Sequence, residues 1–139
     1  MTVFVDTGGW IALLHSGDRW NESATAYWEH RLRDRERFVT TSYVVQETAT
    51  RLRYDTGLRS ALVFRRLVDE SLSKRRLGLV WVDPALERKG WEILERYGDV
   101  PLSLTDAISA AVARRAKITE IFGFDRDFHA LGFDVQPAV

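Results

Sequence analysis

Apolar residues in this chain fall into short continuous runs separated by longer stretches with helical spacing. Thr2 to Val5 is β-branched and aromatic, ends at Asp6, and predicts a buried central strand. Gly8 and Gly9 allow a tight turn into a helix carrying Trp10, Ile11, Leu13 and Leu14. Gly17 and Asp18 break that helix. Asn21 is suited to cap a second one through about Arg33, with Ala24, Tyr27, Trp28 and Leu32 inward. The charged residues from Arg31 to Arg37 form its polar exit.

Phe38 to Thr41 reads as the second strand, and Ser42 as the cap of a helix reaching about Tyr54 with Val44, Val45, Thr48 and Leu52 on its apolar side. Gly57 stops it. A further helix from about Arg59 to Lys74 carries Leu62, Val63, Leu67, Val68 and Leu72, and Leu79 to Val82 predicts the third strand. Asp83-Pro84 marks the start of a helix reaching about Tyr97, because aspartate caps and proline is tolerated at the first helical position. Ser103 caps the next helix, which ends near Lys117. Glu120 to Phe124 is a fourth strand, Asp125 to Leu131 a turn, and Phe133 to Val135 a final edge strand. Strands separated by helices predict an α/β fold, a mainly parallel sheet of four or five strands with helices on both faces.

With 139 residues, 45% of them hydrophobic, and no repeat or low-complexity linker, the chain is expected to form a single domain over 1–139. Its 20 basic and 20 acidic residues cancel, so attraction to nucleic acid has to come from local segregation of charge. Among the basic residues only Lys74, Lys89 and Lys117 are lysines, and the rest are arginines, which suit phosphate. The absence of cysteine excludes disulfides, thiolate metal sites and cysteine nucleophiles. No basic leader opens the sequence and no apolar run approaches the roughly 20 residues of a membrane span, so a cytoplasmic protein without membrane contact is expected.

The candidate chemistry lies in acids placed where predicted elements begin or end: Asp6, Glu47, Asp106 and either Asp125 or Asp127. An α/β fold gathers such positions at one edge of its sheet. Carboxylates brought together there repel one another and resist desolvation unless a cation neutralises them. Magnesium or manganese suits an open set of carboxylates, and a bound divalent ion activates water and neutralises a phosphodiester. Arg51 lies one helical turn beyond Glu47, and Arg53, Arg59, Arg65, Arg66 and Lys74 to Arg76 follow as phosphate contacts at a cleft rim or as solvated helix faces.

Each acid also has a structural reading. Ser103 and Asp106 fit a capping box, Asp125 and Asp127 fit a turn, Glu47 can pair with Arg51, and Asp6 can cap the first helix. The three histidines lack mutual ligand spacing. The five tryptophans read as core or subunit contacts, with base stacking the lesser reading, and exposed aromatics on the first two helices would suit a subunit contact.

Four segments in order, Val-Phe-Val-Asp-Thr-Gly-Gly-Trp-Ile-Ala-Leu, Tyr-Val-Val-Gln-Glu-Thr, Leu-Ser-Leu-Thr-Asp-Ala-Ile-Ser-Ala-Ala and Ile-Phe-Gly-Phe-Asp-Arg-Asp-Phe, resemble a PIN domain, most closely its branch of VapC-like ribonuclease toxins. The resemblance implies metal-binding acids at Asp6, Glu47, Asp106 and Asp125, with Asp127 as a neighbouring or substitute acid and Thr7 and Thr105 in support. It implies an endoribonuclease using Mg2+ or Mn2+, with Asp6, Asp106 and Asp125 on one ion and Glu47 on a second ion or on water. It further implies an RNA substrate, a cognate antitoxin partner and a homodimer. The chain departs from the pattern at Gly8 and Gly123, where small hydroxyl residues are common. These departures keep open a second reading, a catalytically weak or inactive PIN-fold module that binds RNA or protein. A phosphotransfer domain using Asp6 is a third, but Gly8 stands where a haloacid dehalogenase-type phosphatase has its second aspartate.

Overall fold

The computed structural model describes residues 1–139. Five strands, β1 (Thr2–Val5), β2 (Arg37–Thr41), β3 (Leu77–Val80), β4 (Glu120–Phe122) and β5 (Asp134–Gln136), form one sheet in the order β3-β2-β1-β4-β5. Every neighbouring pair is parallel. In the central strand β1, Val3, Phe4 and Val5 are fully buried, as a strand covered on both faces requires. Six helices connect the strands: α1 (Thr7–Leu14), α2 (Asn21–Arg33), α3 (Ser42–Asp55), α4 (Leu58–Ser73), α5 (Pro84–Arg96) and α6 (Leu104–Arg115), with a 3₁₀ turn at Arg126–Leu131. α1 to α4 pack with one another, and α5 with α6.

Aromatic rings fill the space between the first helices and the sheet. Trp10 lies 5.5 Å from Trp28 and 5.4 Å from Phe64, and Trp28 stacks on Phe38 at 4.2 Å. Trp10 and Trp28 are therefore core residues, unavailable for the dimer contact expected on the first two helices. Trp81 and Trp91 are instead exposed at 75% and 56%.

Several local expectations shift once packing acts. Helix α1 starts at Thr7, so Gly8 and Gly9 form its first turn and do not precede it; a side chain at Gly9 would meet the Phe122 carbonyl oxygen at 2.6 Å, which explains the glycine. Asn21 does not cap its own helix but donates to the carbonyls of Ala12 (2.7 Å) and Leu13 (3.3 Å), closing the end of α1. Thr41, not Ser42, caps α3 by accepting from Val44 N, while Ser42 Oγ accepts from Val82 N and ties down the segment after β3. Strand β3 begins at Leu77, because Leu77 pairs with Phe38 and Val80 with Thr41. Along α4 the inward stripe is Phe64, Val68 and Ser71, at helical spacing, which leaves Leu62 and Val63 outside.

Candidate active site

The C-terminal edge of the parallel sheet is where β1 delivers Asp6 and the segment after β4 delivers Asp125. Asp6 occupies the N-cap position of α1, yet its side chain makes no capping hydrogen bond. Its backbone does the anchoring: the Asp6 N–H donates to Phe122 O at 3.0 Å, and Gly9 and Trp10 donate to Asp6 O. The carboxylate is left 5% exposed, with Oδ1 buried and unpartnered. A Cβ at Gly123 would stand 3.2 Å from Asp6 Cβ, so the glycine lets this strand end close against the acid.

The other acids converge on it electrostatically. Burial, then repulsion from Asp106, Glu47 and Asp125, pushes the Asp6 carboxyl up to about 8, against a smaller opposing contribution from the Thr7 N–H. Asp106 is also raised, first by burial and then by Asp125 and Glu47, partly offset by Ser103. Asp125 acts on both Asp6 and Asp106, whereas Asp127 is raised by burial and by Asp125 alone. No arginine or lysine forms an ion pair with any of the four.

Their local supports differ. Asp106 completes the capping box: its Oδ2 accepts from Ser103 N at 2.9 Å, and its N–H donates to Ser103 Oγ at 3.0 Å. Capping and site membership are thus compatible, because the box engages one carboxylate oxygen and holds the side chain in one rotamer. Asp125 Oδ1 accepts from Asp127 N at 2.9 Å. Glu47 projects from the middle of α3 with neither a hydrogen bond nor the ion pair to Arg51 that a surface role would have supplied. Thr7 is buried beside Asp6 with its hydroxyl unpartnered, and Thr105 accepts from Ser109 through its carbonyl.

These acids are a gathering of charge rather than a closed cage, for no three Asp, Glu or His side chains are drawn tightly around one point. The donor set is all oxygen, one buried oxygen is orphaned, and no cation compensates four facing carboxylates. Such a set fits a hard divalent ion that retains water. Arg51, Arg53 and Arg59 are exposed on α3 and α4. Lys74, Arg75 and Arg76 are not at this rim: they precede β3 and lie at the opposite edge of the sheet. Sequence reasoning missed two supports, the close approaches at Gly9 and Gly123, since a glycine's contacts have no signature in a single sequence.

The PIN domain profile matches residues 3–134. This chain belongs to the PIN-domain family. Over 136 residues, covering 97% of this chain and 98% of the relative, the PIN domain is 32% identical to the 23S rRNA-specific endonuclease VapC20 of Mycobacterium tuberculosis. The crystal structure of that VapC20, described as a Sarcin-Ricin loop cleaving toxin, superposes with a TM-score of 0.82 at 31% identity over 94% of this chain and 95% of the other. VapBC2 from Rickettsia felis, bound to a DNA fragment from its promoter, gives 0.69 at 14% identity over 98% of both chains. FitAcB from Neisseria gonorrhoeae gives 0.64 at 16% identity, over 97% of this chain and 96% of the other. The last two bear on the fold alone.

Proposed function

We propose that this PIN domain is a metal-dependent endoribonuclease that hydrolyses RNA phosphodiester bonds, the toxin of a toxin and antitoxin pair that inhibits translation in the cytoplasm. The observation that carries the reading is Asp6: a buried carboxylate with an orphaned oxygen, facing three more carboxylates and no cation. Such an arrangement is destabilising unless it serves a ligand of opposite charge. Likeness to a 23S rRNA-specific endonuclease supports ribosomal RNA as the substrate to test first.

In this reading Asp6, Asp106 and Asp125 hold a magnesium or manganese ion, and Glu47 holds a second ion or orients the attacking water, with Asp127 supporting Asp125. Bound there, the ion supplies charge neutralisation at the phosphodiester and activation of water. The surrounding residues prepare that chemistry. Ser103 fixes the rotamer of Asp106, Thr7 and Thr105 support the acids from α1 and α6, and Arg51, Arg53 and Arg59 hold flanking phosphates. Hydrolysis joins a water oxygen to phosphorus and breaks one phosphorus–oxygen bond, the water proton ending on the leaving oxygen.

Partners follow from exposed apolar surface. Tyr54, Leu58, Leu62 and Val63 are exposed on the α3–α4 hairpin, Trp81 borders a hollow lined by Val45, Ala49, Ala61 and Phe64 of that hairpin, and Trp91 is exposed on α5. Covering such residues suits an antitoxin and a second copy of the chain. No helix is long and apolar enough to cross a membrane.

The test is cleavage of total RNA by the purified protein with magnesium or manganese, beside EDTA and the Asp6→Asn and Asp106→Asn variants. Loss of cutting in all three controls is expected. Cutting that persists in both folded variants overturns the site. RNA binding without cutting favours the second reading, a binding module lacking hydroxyl residues at Gly8 and Gly123.

A further inference from the structure

The turns that feed β2, β3 and β4 lie at the N-terminal edge of the sheet, opposite the acids. Helices α2, α4 and α6 each hand over through a residue with left-handed φ: Arg35 at 58°, Arg75 at 59° and Lys117 at 57°. In each turn two N–H groups close back on the helix, as Arg35 N does on Leu32 O and Glu36 N on Arg31 O, both at 3.1 Å. Glycine or asparagine is the usual occupant, and a β-carbon there costs roughly 1 kcal/mol. These are the only non-glycine residues with positive φ in the chain, and all three are basic. The helix dipole favours a cation at these ends by about 0.3–1 kcal/mol, which accounts for part of the pattern. It does not account for the further cations around the first two.

Pairing of Phe38 with Leu77 sets the preceding residues, Arg37 and Arg76, side by side. Together with Arg35, Glu36, Lys74 and Arg75 they line a hollow of about 450 Å³ that contains no apolar residue. Its one acid is already engaged, since Glu36 pairs with Arg31 at 2.6 Å, and Lys74 pairs with Glu70 at 2.7 Å. Arg35, Arg37 and Arg75 are exposed and form no ion pair, and Arg76 donates only a long 3.4 Å bond to Leu32 O.

We propose that this basic edge is a second contact surface for the phosphate backbone of the RNA substrate, remote from the site of cutting; the proposal rests on the endoribonuclease reading. Guanidinium forks bind phosphate in two-pronged fashion, and a hollow without apolar lining does not suit a protein partner, whose interface has an apolar core. The acids repel an RNA backbone, so in a chain of zero net charge phosphate contacts beyond those of Arg51, Arg53 and Arg59 strengthen binding. Strands of this length set the two edges roughly 15 Å apart, a span that a folded RNA bridges.

The experiment is fluorescence anisotropy of a hairpin RNA of ~30 nucleotides in EDTA, across a salt series, with the triple variant Arg35→Gly, Arg37→Gln, Arg75→Gly. Both glycines relieve left-handed backbone, so the variant is expected to fold. The control carries the same charge change on α5: Arg88→Gln, Lys89→Gln, Arg96→Gln. Three lost phosphate contacts weaken binding by about tenfold and lower the slope of log affinity against log salt by about 2, with less than a twofold change in the control. Equal weakening in both variants, or none in the first, overturns the proposal. Cleavage of total RNA by the unmodified protein in magnesium separates the two readings. Cutting with unchanged hairpin affinity in the variant sinks the basic edge alone, whereas edge-dependent binding without cutting sinks the nuclease and leaves the edge.

Discussion

Two buried carboxylates sit at opposite ends of neighbouring strands and are treated in opposite ways. Glu120 opens β4 and is 4% exposed; its Oε2 accepts from the Tyr27 hydroxyl and from Arg31 Nη2 at 2.6 Å, and Arg31 reaches on to Glu36. Burial and the bond to Glu120 hold the Tyr27 hydroxyl far above its ordinary range, so it stays a donor. Asp6 closes β1 and is 5% exposed, but it meets three carboxylates and no cation. Burial is the same in both places, so burial alone does not mark function. What separates them is compensation: a carboxylate the fold satisfies holds the fold, and one it leaves unsatisfied awaits something from outside.

The sharpest way to break the contrast is to remove compensation where it exists. Arg31→Ala leaves Glu36 unpaired and Glu120 with the Tyr27 hydroxyl as its sole partner, and is expected to cost about 3–5 kcal/mol, lowering Tm by roughly 10–20 °C. Cleavage per folded molecule should be unchanged. A small thermal shift, or selective loss of cutting, would erase the division between the two ends. Asp6→Asn does the converse, and RNA cleavage in magnesium should fall by ~10²-fold or more with the fold intact.

The same substitution should stabilise the protein when metal is absent. The Asp6 carboxyl is raised from 3.8 to about 8, so its favourable contribution is full below 3.8 and is lost as pH rises through about 8. In EDTA, denaturant titrations should therefore show Asp6→Asn gaining on the unmodified chain between pH 4 and pH 8, at about 1.4 kcal/mol for each pH unit and by roughly 5 kcal/mol at the upper end. Added magnesium should raise the Tm of the unmodified chain and leave the variant unmoved. A gap that narrows with rising pH would mean that Asp6 has a compensating partner after all.

How far all this was legible beforehand depends on what each residue answers to. The strands and helices were readable because β-branched runs and turn residues act locally, and Asp83-Pro84 and Ser103 start helices as expected. Boundaries shifted where pairing decides, as in β3, whose start answers to β2. Leu62 and Val63 were misplaced because apolar character says nothing of direction when Phe64 and Val68 already fill the inner stripe. Asp6, Asp106 and Asp125 stood out as candidates because each follows or begins an element, whereas Glu47, expected at such a position, lies in the middle of α3. Lys74 to Arg76 were put at the wrong edge because they were read as the end of a helix pair, when it is the start of β3 that fixes their position.

The finest test separates the two roles that Ser103 plays. Asp83 and Ser103 are equivalent caps: Asp83 Oδ1 accepts from Leu86 N at 2.8 Å, and Ser103 Oγ accepts from Asp106 N at 3.0 Å. Replacing either by alanine removes one bond to a helix start and is expected to cost about 1 kcal/mol. Only at Ser103 does the bonded residue belong to the acidic set, so only Ser103→Ala loosens the backbone turn that carries Asp106, while the bond from Ser103 N to Asp106 Oδ2 remains. Cutting should fall several-fold in Ser103→Ala, restored by raised magnesium and by Ser103→Thr, and stay level in Asp83→Ala at equal thermal cost. Equal activity in the two alanine variants would reduce the capping box to helix stability and leave Asp106 oriented by its neighbours alone.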